Sequence, residues 1–163
     1  MKKPKLSSKA REYINWSFII FSILFLVSLF VFKDNLTGYA SKVKVSSIDS
    51  LTASSESKRI DSAYNYAKNG LAYKVTFLEF GATGCSSCKA MEGVMEEIRN
   101  QYPDIVNVVF TNVRLKESKT IMDFFGVITI PMQVLLDKDG KEFYRHNGVL
   151  SLDEFSKILN QIQ

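Results

Sequence analysis

The sequence predicts an α/β domain, a mixed β-sheet flanked by helices, preceded by one N-terminal apolar helix. Three observations carry this expectation. Twenty residues from Tyr13 to Phe32 contain no charged side chain. Beyond residue 54 the apolar residues alternate between helical spacing and short extended runs. The two cysteines stand three apart in Cys85-Ser86-Ser87-Cys88, between a run of strand type and a run of helix type. At 163 residues the chain has room for about one domain.

Charge comes first along the chain. The formal net charge of +4 invites a reading as a nucleic-acid binder. Lys2, Lys3, Lys5, Lys9 and Arg11 against Glu12 account for all of it, and the remainder is neutral. A reading as a nucleic-acid binder thereby loses most of its support, and no nucleic-acid partner is expected. Residues 1–12 read instead as a basic cytoplasmic terminus, and 13–32 as a transmembrane signal anchor. Twenty helical residues span about 30 Å, the thickness of a hydrocarbon core. Tyr13 and Trp16 stand at the entering end, where amphipathic rings favour the headgroup level. The positive-inside bias then keeps the N-terminus cytoplasmic, making this a single-pass protein of the cell membrane whose remaining chain is extracytoplasmic. A cleavable signal peptide is the competing reading, since Gly38-Tyr39-Ala40 resembles a small-x-small cleavage site. Its expected apolar core is shorter than this run, and the site lies eight residues past the run's end. A buried helix of a soluble core is the other alternative, but only serines and one asparagine interrupt the apolar face.

Residues 33–53, rich in Ser, Lys and Asp, read as a linker, and 54–163 as the domain. Ser55-Glu56-Ser57-Lys58 opens a helix with Ile60, Ala63, Tyr64 and Ala67 on one face, ended by Asn69-Gly70. Val75–Phe80 is a short strand-like run. Cys88, Met91, Val94, Met95, Ile98 and Tyr102 form a helical stripe stopped by Pro103, with Met91 and Met95 assigned to the core. A second strand covers Ile105–Val113, and a short helix Ile121–Phe125 closes at Gly126. Met132–Leu136 and Lys141–Arg145 flank Asp139-Gly140 as strand, turn, strand. Leu152, Phe155, Ile158 and Leu159 mark a terminal amphipathic helix. The order is helix–strand–helix–strand–helix–strand–strand–helix, with no internal repeat. His146 falls at a strand end on the surface.

The chemistry concentrates in the cysteine pair. Cys85 lies one turn before the buried stripe, at a helix N-terminus where amide N–H groups and the dipole favour a thiolate. It is the candidate nucleophile, and the more buried Cys88 the candidate resolving thiol. A zinc site would need two further good ligands, and beyond carboxylates the chain offers only His146. A purely structural bridge over two residues would restrict the unfolded chain little. No metal or other cofactor is therefore expected.

Glu79-Phe80-Gly81-Ala82-Thr83-Gly84-Cys85-Ser86-Ser87-Cys88-Lys89, with Gly126-Val127-Ile128-Thr129-Ile130-Pro131 downstream, resembles the thioredoxin superfamily. The resemblance runs over about residues 55–163 and implies a thioredoxin-like fold. It implies a cis bond between Ile130 and Pro131 beside the cysteines, leaving the backbone before the proline to pair with an extended substrate. Gly84, Ile130 and Pro131 are thus the expected substrate-binding residues. A trans proline at a strand start is the alternative. Glu79 stands where the family carries a buried acid. Burial would raise its pKa, so that it accepts a proton from Cys88; a carboxylate on a solvent-facing edge strand is the other reading. The chain departs from the family pattern at Gly84, usually Trp, at Ser86-Ser87, usually Gly-Pro, and at Gly93, often a helix-kinking proline.

The implied function is a membrane-tethered, extracytoplasmic thiol–disulfide oxidoreductase, monomeric, that reduces protein disulfides. The resemblance to tethered bacterial members implies electrons from a transmembrane thiol carrier of the cytochrome-c-biogenesis type. A disulfide-forming oxidase or isomerase, and a redox-inactive peptide-binding module, are the alternatives.

Overall fold

Val75, Phe77, Leu78 and Phe80 alternate across a strand, Val75–Gly81 (β1), that is buried on both faces and forms the centre of a four-stranded sheet. In this computed structural model, which describes residues 8–161, the strand order is β2-β1-β3-β4. Strand β2 (Val106–Asn112) runs parallel to β1, from Val75 opposite Val106 to Gly81 opposite Asn112. Strand β3 (Met132–Leu136) is antiparallel to β1, with Phe80 opposite Met132 and Glu79 opposite Gln133. Strand β4 (Glu142–Asn147) is antiparallel to β3, and the register shifts at Leu135/Leu136. The mixed sheet is the one the sequence pattern predicts.

Seven α-helices occur among the described residues: α1 (Ser8–Val31), α2 (Lys33–Ser46), α3 (Ser50–Tyr64), α4 (Tyr66–Asn69), α5 (Ser86–Gln101), α6 (Lys119–Phe124) and α7 (Leu152–Asn160). Val75 and Phe77 meet Met91, Met95 and Ile98 of α5 and Phe155 and Leu159 of α7 in one core cluster. Leu78 and Phe80 meet Ile60 of α3 and Ile121 of α6 in the other. Each large apolar side chain buried this way stabilises the fold by about 1.5–3 kcal/mol. Odd-numbered β1 positions therefore face α5 and α7, which puts Glu79 on the face that α5 covers. Helix α7 starts with a reciprocal cap, in which Ser151 Oγ accepts from Glu154 N–H and Glu154 Oε2 accepts from Ser151 N–H.

The chain divides into two compact units at Tyr39/Ala40. In the first, Tyr13–Val31 is long and apolar enough to cross a membrane, and none of it is buried. Lys2, Lys3 and Lys5 of the basic terminus lie outside the described residues.

Residues 33–53 differ from the expected linker. Lys33–Ser46 is helical, and a second helix starts at Ser50, five residues ahead of the predicted Ser55. The physical reasons are polar. Asp49 caps α3 by accepting from Thr52 N–H at 2.9 Å. Within the second unit, Ser41 Oγ donates to Gly126 O at 2.6 Å and Lys44 Nζ to Val127 O at 2.7 Å. Arg145 Nη1 donates to Ser41 Oγ at 2.7 Å. Gly126 makes this approach feasible, because its φ is +62° and a Cβ there would stand 2.5 Å from Ser41 O. The expected face of α3 also changes. Ile60 is buried, Ala63 and Ala67 are exposed, and Glu56, paired with Arg59, takes the buried place one turn before Ile60. Asn65, not Asn69-Gly70, ends α3; its side chain then caps α4 by accepting from Lys68 N–H, and Gly70 closes α4 at φ +77°.

Candidate redox site

Strand β1 ends at Gly81, and four residues later Cys85 opens α5. Gly84 makes the turn at φ +86° and is exposed, with open space where a Cβ would point. Cys85 is the N-cap of the helix, and its Sγ accepts from the Cys88 backbone N–H at 3.2 Å. Ser87 Oγ lies 3.3 Å from the same sulfur. The two cysteines form a disulfide, their Cα atoms 5.2 Å apart. Cys85 is half-buried and Cys88 buried, so the first sulfur is the accessible one. A helix N-terminus with unpaired N–H groups stabilises negative charge on that sulfur when the pair is reduced.

Met132 pairs with Phe80, so Pro131 leaves the sheet at the same end as the segment leading to Cys85. The Ile130–Pro131 peptide bond is cis. Pro131 is buried, Ile130 half-buried, and Ile128 and Thr129 are exposed. Gly148 N–H donates to Pro131 O at 2.9 Å, and Thr129 Oγ1 donates to Asn147 Oδ1 at 2.9 Å. The loop around the proline is thus tied to the end of β4, beside the exposed Val149.

Glu79 is fully buried on β1 rather than on a solvent face. Burial pushes its carboxyl up from 4.5 to about 8, opposed by a hydrogen bond from Gln133. Gln133 Nε2 donates to Glu79 Oε2 at 2.8 Å. Glu79 Oε1 has no hydrogen-bond partner among the described residues. A Cβ built on Gly81 would stand 3.5 Å from that Oε1 and 3.4 Å from Cys88 Cβ. The Phe110 ring stands closer still, 2.9 Å from that Cβ position, so the ring, the carboxyl and the Cys88 side chain all border on Gly81.

Six positions singled out in the sequence, Glu79, Gly84, Cys85, Cys88, Ile130 and Pro131, thus come from one end of the sheet. Two polar neighbours were not singled out. Ser87 lay inside the cysteine motif, and its contact with Cys85 follows from helix geometry. Gln133 carried only one signal, a polar residue inside an apolar strand. His146 sits half-buried on β4 opposite Gln133. Chemically, an accessible sulfur at a helix N-terminus, a buried partner sulfur and a buried carboxyl suit dithiol–disulfide exchange.

Known proteins resemble this chain in sequence and fold. The thioredoxin family model matches residues 57–161. A thioredoxin from Chlamydia muridarum is 30% identical over 105 residues, covering 64% of this chain and 98% of that protein. The chloroplastic thioredoxin-like protein HCF164 of Oryza sativa subsp. japonica is 38% identical over 69 residues, 42% of this chain. The match spans only 26% of the length of that relative. Among solved structures, oxidised thioredoxin O2 from Arabidopsis thaliana superposes with a TM-score of 0.51 at 19% identity, over 66% of this chain and 87% of that one, which speaks to the fold alone. With the family model covering well over half of its residues, the chain belongs to the thioredoxin family.

Proposed function

We propose that the protein is a membrane-tethered thiol–disulfide oxidoreductase that works as a reductase of protein disulfides. The observation that carries this reading is the Cys85–Cys88 pair at the start of α5 with the buried Glu79 carboxyl behind it. In the reduced protein the Cys85 thiolate attacks one sulfur of a substrate disulfide, and the other substrate sulfur leaves as a thiolate that takes a proton from water. Cys88 then gives its proton to Glu79 and attacks Cys85 Sγ. The second substrate sulfur is released, and the Cys85–Cys88 disulfide forms. Two electrons have passed from the cysteine pair to the substrate. Gly84, Ile130 and Pro131 seat the extended substrate chain, with the backbone around Ile130 available for strand-like pairing.

Restoring the dithiol needs a donor of two electrons and two protons. A transmembrane thiol carrier of the cytochrome-c-biogenesis type fits a domain tethered to a membrane. The span Tyr13–Val31 supports anchoring, and the basic residues before it support a cytoplasmic N-terminus with the domain on the outer side.

Equilibration of the full chain with glutathione buffers tests the direction. A potential near that of thioredoxin, about −270 mV, is expected, whereas one near −120 mV would make the protein an oxidant. Failure to exchange at all would leave a binding module. Labelling of single cysteines placed in the terminus and in the domain, in intact cells, tests the topology.

A further inference from the structure

We infer that Gln133 is the positioning residue for Glu79, an amide locked as a hydrogen-bond donor that holds one carboxyl oxygen and keeps the other turned toward Cys88. This rests on the proton-acceptor role proposed for Glu79. Gln133 is fully buried on β3, directly opposite Glu79. Its Nε2 donates to Glu79 Oε2 at 2.8 Å and to Gly148 O at 3.1 Å. Gly148 O can only accept, as can the ionised Glu79 carboxylate, so turning the amide over would aim Oε1 at two oxygens; the donor end is fixed in place. Gln133 Oε1 has no hydrogen-bond partner among the described residues. An apolar side chain of similar volume would fill this strand position without stranding a buried oxygen. The amide therefore has its use on the donor side.

A donor that serves an anion more strongly than a neutral acid favours the ionised carboxyl. Burial works the other way, and the two together leave Glu79 at about 8. Without the amide, burial acts unopposed, and the ionised fraction of Glu79 at neutral pH, already small, falls further. The groups around this part of the sheet are few. Helix α5 places Cys88 and β2 places Phe110 beside Gly81, where Glu79 Oε1 also lies, and β4 places the titratable His146 one strand beyond Gln133, where it interacts with Glu154 of α7. Gly148 extends the arrangement to the substrate loop, since it accepts from Gln133 and donates to Pro131 O.

The test uses the reduced full chain in detergent with oxidised glutathione as the probe. Mixed-disulfide formation at Cys85 and its resolution by Cys88 are followed separately by rapid quench and mass spectrometry. Gln133→Met should leave the first step unchanged. It should move the pH midpoint of the second step upward by about one unit, slowing resolution about tenfold at pH 7. In a Glu79→Gln background it should add nothing. An unmoved midpoint, or an equal slowing in that background, would overturn the inference. If Glu79→Gln alone leaves resolution unchanged, the proton-acceptor role fails, and infrared titration of the Glu79 carboxyl decides the inference by itself. A midpoint raised in Gln133→Met supports it, and an unmoved one sinks it. Should that variant not fold, the Gln133 side-chain amide signals of the unsubstituted, nitrogen-15-labelled protein serve instead. They should titrate together with Glu79, and signals indifferent to pH would overturn the assignment.

Discussion

Helix α1 and strand β1 are both continuous apolar runs, yet they meet opposite surroundings. Along Tyr13–Val31 no residue is buried, whereas every residue of Val75–Gly81 is. Length and charge separate the two cases. The helical run suffices to cross a bilayer, satisfies its own backbone hydrogen bonds and carries no charge. The strand is seven residues long, needs β2 and β3 for its backbone bonds, and includes one acid, Glu79. An apolar run suited to lipid excludes ionisable groups, and one buried in protein can hold a single such group if a neighbouring strand supplies a donor. Here that donor is Gln133.

The sharpest way to break this comparison is to add a second charge to β1. Leu78 is fully buried between the helices α3 and α6 and the sheet. Leu78→Asp places a carboxylate there with no donor comparable to Gln133. The expected cost is on the order of 4 kcal/mol or more, a large share of a domain's stability. Loss of the cooperative thermal transition by circular dichroism is the expected result; a melt within a few degrees of the original would contradict the burial argument.

Glu79 gives the next largest effect, through pH. Its folded value of about 8 lies above the ordinary 4.5. Below pH 4.5 both folded and unfolded chains hold the proton. Between 4.5 and 8 the unfolded chain has released it and the folded one has not, so stability falls as pH rises. The slope is up to roughly 1.4 kcal/mol per pH unit within that window. Glu79→Gln removes the titrating group and should flatten this part of the curve, measured by denaturant unfolding from pH 4 to 9. The same variant should slow resolution of the mixed disulfide at neutral pH. An unchanged pH slope would mean that the carboxyl is ionised in the fold.

These two strands and their helices were legible in the sequence because their signals are local. A short apolar run of strand-forming residues marks β1, and a stripe at helical spacing from Cys88 to Ile98 marks α5. The cysteine spacing, the glutamate inside an apolar run and the proline opening β3 are visible for the same reason. Gln133 was not, since its meaning depends on standing opposite Glu79, and register is a property of paired strands rather than of one segment. Helix α2 escaped notice because its held part is fastened through Ser41 and Lys44 to backbone carbonyls. No apolar stripe records that.

Gly126→Ala tests that polar attachment and sharpens the contrast with the apolar runs. A Cβ at φ +62°, 2.5 Å from Ser41 O, forces the two backbones apart. A destabilisation of about 1–3 kcal/mol is expected. Hydrogen exchange should show the amides of residues 41–46 losing protection while β1 keeps its own. Equal loss in both would mean that this part of α2 belongs to the cooperative core.

The smallest effect on folding belongs to a charge placed in α1. Leu24 is 62% exposed and takes no part in either core cluster. Leu24→Asp should leave the thermal transition of the domain where it is. In the proposed membrane-spanning α1 its effect falls on insertion, since exchanging leucine for aspartate mid-helix costs about 3–4 kcal/mol of insertion free energy. Release of the chain from the membrane fraction with an unchanged melt is the expected pair of results. The opposite pair, retention in membranes with a destabilised domain, would show that Tyr13–Val31 is covered by protein, and the contrast with β1 would collapse. Aspartate is thus the same reagent in both segments. In β1 it tests for a protein interior through the stability of the fold, while in α1 it tests the proposed bilayer through the attachment of the chain.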